Sequence, residues 1–119
     1  MENGLFDNGF SIMANLNKGE YGQKVYVNMG EDVSSASTIT FILEPQSGEK
    51  LTRVAANGVA VGATNITVDD EALIANEYLE YTILSGDLTY AGTWRLKGEC
   101  LLTSTNKVIS DYKYIEVKN

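Results

Sequence analysis

The chain has 119 residues, enough for one domain around a single hydrophobic core. Its 9 Lys and Arg face 16 Asp and Glu, a net charge of −7, and the basic residues are not clustered, so a nucleic-acid partner is not expected. Histidine is absent and cysteine occurs once, at Cys100. That removes the commonest general base and metal ligand, and with them any intrachain disulfide or thiolate cluster.

Residues 1–20 read as an N-terminal arm. Asn3-Gly4, Asn8-Gly9 and Lys18-Gly19 break the segment into short pieces, yet Leu5, Phe6, Phe10, Ile12 and Met13 are apolar. Such side chains bury against something. Two destinations stay open, a neighbouring subunit or the first strand of this domain's own sheet. The segment lacks the basic and apolar regions of a secretory leader, and no run approaches transmembrane length, so a soluble protein made in the cytoplasm, with no membrane partner, is expected.

From residue 21 to 119, β-branched and aromatic residues recur in short runs parted by Gly, Asn, Asp and Ser. Gln23 to Met29 alternates, with Val25, Val27 and Met29 on one face. Ser37 to Glu44 places Ile39, Phe41 and Leu43 together, and Pro45 with Ser47-Gly48 ends that strand in a turn. Leu51 to Ala56 and Val59 to Val61 flank Asn57-Gly58, which predicts a hairpin. Asn65 to Val68 predicts another strand, and Asp69 to Ala75, opening Asp-Asp-Glu, predicts a short connecting helix. Tyr78 to Leu84 aligns Leu79, Tyr81 and Ile83. Thr93 to Leu102 puts Trp94, Leu96, Gly98, Cys100 and Leu102 on one face. In the last run, Lys107 to Val117, Tyr112 and Tyr114 fall out of step with Ile115 and Val117, so either a bulge interrupts it or both faces are covered. About eight short strands, regularly spaced, predict an all-β antiparallel sandwich or barrel, with Trp94, Leu96, Phe41, Ile39, Val27 and Ile83 in its core.

Few residues carry chemistry. Glu31-Asp32 and Asp69-Asp70-Glu71 offer oxygen ligands for calcium but lack the alternating spacing of a calcium loop, and read as solvated loop charge. Cys100 falls on the Trp94 face of its strand, which reads as a buried inert thiol rather than a nucleophile. Gly58 to Gly62 lacks the lysine and following helix of a phosphate cradle. No cofactor or metal site is expected. Seven tyrosines suit half-buried sheet surfaces, protein interfaces and sugar platforms; Tyr26, Tyr78 and Tyr112 are expected to face outward, Tyr26 and Tyr112 as interface candidates.

Asp32-Val33-Ser34-Ser35-Ala36-Ser37-Thr38-Ile39-Thr40-Phe41, the Pro45 and Gly48 turn, Tyr81 with Ser85-Gly86-Asp87-Leu88, then Ala91-Gly92-Thr93-Trp94-Arg95-Leu96, and finally Tyr114-Ile115-Glu116-Val117 carry a resemblance. The stretch from Gln23 to Val117 resembles the small immunoglobulin-like proteins encoded among tailed-phage structural genes, and is similar to the N-terminal domain of phage baseplate upper proteins. Ser35 stands where that family usually has glycine, and Gln46-Ser47 replaces an acidic turn residue. The resemblance implies an immunoglobulin-like antiparallel sandwich of about 7–8 strands. It further implies a non-enzymatic virion protein, assembled in the bacterial host cytoplasm and present in multiple copies, as a decoration or adaptor subunit on capsid, neck, tail or baseplate. Its partners would be other phage structural proteins. The alternative is a carbohydrate- or receptor-binding β-sandwich module in which exposed tyrosines stack on sugar rings.

Overall fold

The structure is a computed structural model that describes residues 12–119. Strand β1 spans Ile12–Asn17, β2 Lys24–Asn28, β3 Thr38–Pro45, β4 Leu51–Val54, β5 Ala60–Val61, β6 Ile66–Val68, β7 Glu71–Leu73, β8 Tyr78–Thr82, β9 Gly92–Thr103, β10 Asn106–Ile109 and β11 Lys113–Lys118. No helix among the described residues is long and apolar enough to cross a membrane.

The strands form an all-β sandwich. One sheet runs β4-β3-β9-β11-β1, with β10 continuing the line of β11 beside β9; the other runs β5-β8-β2. The twelve-residue β9 is the spine of the larger sheet, and its alternation sets the two faces. Trp94, Leu96, Gly98 and Cys100 point inward and are buried, while Arg95, Lys97 and Glu99 point out. Register carries the inner face sideways to Leu43 opposite Leu96, Phe41 opposite Gly98, Ile39 opposite Cys100 and Ile115 opposite Trp94.

Val25, Val27, Leu79, Tyr81 and Ile83 from the smaller sheet join the same core. Trp94, Leu96, Phe41, Val27 and Ile83 are each no more than 1% exposed, and Ile39 is half-buried against them. The sheets meet closely at Gly98. A Cβ there would stand 2.6 Å from Met29 Sδ and 2.9 Å from both Leu79 and Val27, so only glycine lets the smaller sheet settle on β9. The indole of Trp94 meets its polar obligation by donating Nε1–H to the Tyr90 carbonyl at 2.9 Å.

β1 pairs parallel with β11, Ile12 opposite Tyr114 and Met13 opposite Ile115, with a register shift before Leu16 meets Val117. Of the two destinations open for residues 1–20, Ile12 and Met13 therefore take the domain's own sheet, and Leu16 reaches the core. Leu5, Phe6 and Phe10 lie outside the described residues.

Three expected elements fold otherwise. Asp69 to Ala75 is not helical: Asp69 (φ 50°) and Asp70 (φ 67°) make the two-residue turn of a β6–β7 hairpin, with Val68 opposite Glu71. Two consecutive left-handed residues match the twist of a tight hairpin, and aspartate tolerates that region better than most residues. Asn57-Gly58 makes no hairpin either. β4 pairs with β3 in the larger sheet, a 3-10 turn over Ala55–Asn57 follows, and Gly58 (φ 100°) turns the chain across to β5 in the smaller sheet. Asn57 serves that corner by accepting the Val54 N–H on its Oδ1 at 2.9 Å. Finally Tyr78 is on the outward face of β8 as expected but is only 1% exposed. The segment from Gly62 to Glu77 folds over it, its hydroxyl donating to the Thr64 carbonyl at 2.9 Å.

Candidate interaction surface

The interior polar centre was missed by sequence reasoning. Arg53 sits on β4 opposite Phe41, so its register turns it inward, toward the smaller sheet. Its Nη2 donates to Asp87 Oδ1 at 2.7 Å and its Nε to the Tyr81 hydroxyl at 3.1 Å. Asp87 is 3% exposed; its other oxygen accepts the Leu84 N–H at 2.9 Å and a short hydrogen bond from the Tyr81 hydroxyl. A buried carboxylate is tolerable only with such partners. Burial, then the bond to Asp87, pushes the Tyr81 phenol up to about 12. This network clamps the β8–β9 connection to β4 and presents no open group, so it is structural. Its one sequence signal was a lone arginine in the strand run after Pro45-Gly48, pairable with the aspartate of Ser85-Gly86-Asp87-Leu88.

The outward face of the larger sheet is polar, and its charges are paired. Arg95 meets Glu44 at 2.8 Å, and Glu99 lies 3.6 Å from Lys97 and 3.7 Å from Lys107. The Arg95 guanidinium stacks 4.2 Å over the Tyr112 ring, with Lys97 Nζ at 5.4 Å. Tyr112 remains 39% exposed, beside Ile109 at 54%.

A bulge forms one wall of a cleft on this surface. Ile109 stands opposite Glu99 and Lys113 opposite Leu96, so Ser110, Asp111 and Tyr112 face only Lys97 and Gly98. The phase change seen in the sequence is this extra residue. Ser110, 9% exposed, locks it: its Oγ accepts the Gly98 N–H at 2.8 Å and donates to the Asp111 carbonyl at 2.9 Å. Beside the bulge, the β6–β7 hairpin brings Glu71 onto Lys113 as an ion pair. Between Asn28 and Met29 on one wall and residues 109–113 on the other lies a cleft of about 260 Å³.

The structure does not bring the two candidate tyrosines together. Tyr26 is on the smaller sheet, half-buried and edge-on to Tyr78 at 6.0 Å, whereas Tyr112 rims the cleft. Ile12 and Met13 are in β1, in the other sheet from Tyr26 and paired with β11, the strand that begins just after Tyr112. Cys100 is 0% exposed, and burial pushes its thiol up to about 11, which suits packing rather than nucleophilic chemistry. Asp32 accepts from Ser34 N and Oγ at 2.8 and 2.6 Å, which draws its carboxyl below the usual range. Set against known protein families, characterised proteins and solved structures, the chain matches none.

Proposed function

We propose that this is a non-enzymatic structural protein of a tailed-phage particle, a decoration or adaptor subunit that attaches to neighbouring virion proteins. The reading is carried by the resemblance of the Gly86 to Leu96 block, which supplies the turn after β8 and the first half of β9. The strand order supports it: β5-β8-β2 against β4-β3-β9-β11-β1 resembles the way immunoglobulin-like sandwiches divide their strands between two sheets. A fold of this kind hosts many functions, so attachment must be read from its surface. The exposed Ile109 and Tyr112 beside a preformed cleft are the kind of surface that a neighbouring protein covers.

Mass spectrometry of density-gradient-purified particles from a culture producing the phage tests the reading. The chain is expected at a fixed ratio to the major capsid or tail protein across gradient fractions. Its confinement to the soluble lysate would overturn the proposal. The sugar-binding alternative needs an open aromatic face, and Tyr112 already gives one face to Arg95.

A further inference from the structure

The charge pattern around the bulge cleft singles out one group. Arg95, Lys97, Lys107 and Lys113 are each matched to Glu44, Glu99 or Glu71. Asp111, exposed on the bulge, has no ion-pair or side-chain hydrogen-bond partner among the described residues. It is nevertheless held in place, because Ser110 fixes the backbone through both Gly98 and the Asp111 carbonyl. A strand bulge displaces residues from the ladder, and this one puts Asp111 and Tyr112 among the residues that line the cleft together with Asn28.

We propose that this cleft receives an arginine side chain from a neighbouring protein, an inference that rests on the attachment role above. The planar guanidinium matches a carboxylate with two parallel hydrogen bonds, and its apolar stem would lie along the exposed Ile109 and the edge of Tyr112. Charge complementarity selects a cation. The chain carries −7 overall, and the cleft is flanked in sequence by Glu31 and Asp32 after Gly30, and by Asp69 and Asp70 before Glu71. Arg95 does not repel it strongly, since Glu44 pairs with it at 2.8 Å, and Lys97 is partly offset by Glu99, which it shares with Lys107.

The probe is acetyl-Gly-Arg-Gly-amide titrated into the full chain and followed by amide nitrogen–proton NMR, with acetyl-Gly-Gln-Gly-amide and N-acetylglucosamine as comparisons. Saturable shifts confined to Asn28, Gly30 and residues 109–113 are expected with the arginine peptide alone. Asp111→Asn should weaken binding about fivefold, as should a rise in salt, because the new pair is partly solvated. An unchanged melting temperature confirms that this exposed substitution leaves the fold intact. Shifts spread over all carboxylates without saturation, an equal response to the glutamine peptide, or saturation by the sugar with the arginine peptide silent would each overturn the proposal. Particle association is read separately. Stoichiometric incorporation of Asp111→Asn with a silent peptide titration removes the arginine site and keeps the attachment role. Peptide binding by a chain missing from particles does the reverse.

Discussion

Asp87 is the residue on which the interior depends most sharply. Its carboxylate lies 3% exposed between an arginine, a tyrosine and a backbone N–H, so its loss leaves three donors to find other acceptors. Replacing it by asparagine should cost about 2–3 kcal/mol, at the low end for a buried pair because the Arg53 side chain is still 24% exposed. Urea unfolding followed by Trp94 fluorescence checks this; a loss under about 0.5 kcal/mol would show the pair to be a surface-like contact. Tyr81 gives the network a pH signature. Its folded value, about 12, lies above the unfolded value near 10, so the folded state keeps the phenolic proton where the unfolded state has shed it. The stability linked to this group is therefore full below pH 10 and is lost as pH rises through about 12. Cys100, pushed to about 11, adds a similar loss that begins lower. Tyr81→Phe should flatten the part above pH 10 in a comparison of unfolding free energies at pH 9 and 12, and an identical slope in both proteins would refute the linkage.

Among the elements, the segment over the smaller sheet shows why some of the fold was legible and some was not. Val25 to Met29 and Trp94 to Cys100 were readable because one face of each strand is buried and the other is more exposed, and Ile39 to Leu43 because its inner residues alternate even though Ile42 on the other face is also buried. The β6–β7 hairpin was not, because Asp-Asp-Glu is equally good at capping a helix and at occupying a left-handed turn, and only pairing with Ile66–Val68 decides between them. Asn57-Gly58 misled for a related reason: a turn signal marks a reversal, not which sheet the chain enters next. Tyr78 was placed on the right face, but its cover comes from a segment whose approach no local pattern encodes. Gly62 is what allows that approach, since a Cβ there would come within 1.9 Å of the Tyr78 ring. Gly62→Ala should thus destabilise by about 2 kcal/mol or more through overpacking. Tyr78→Leu in the same chain should recover part of that loss by making room. Strictly additive effects in the double mutant would mean that the two sites do not press on one another.

For the whole molecule, the open question in the sequence was what the first twenty residues do, and β1 answers it from Ile12 onward. Without β1, the larger sheet would end at β11 with a bare row of backbone donors and acceptors, and Leu16 would leave the core. The cleft was likewise only half legible. The phase change at Tyr112 allowed a bulge as one of two readings, but nothing local revealed that the distant Asn28 and Glu71 would complete the cleft walls. Both gaps have one cause, contacts between residues far apart in sequence. A chain beginning at Gly19 should therefore be less stable by about 3–5 kcal/mol, combining the loss of a large core side chain with that of a strand pairing. It should also self-associate through the exposed β11 edge as concentration rises. Chemical denaturation and sedimentation velocity of the truncated and full chains measure the two effects. A monomer of unchanged stability would show that β1 is a dispensable edge, leaving residues 12–17 free to serve a neighbouring subunit instead.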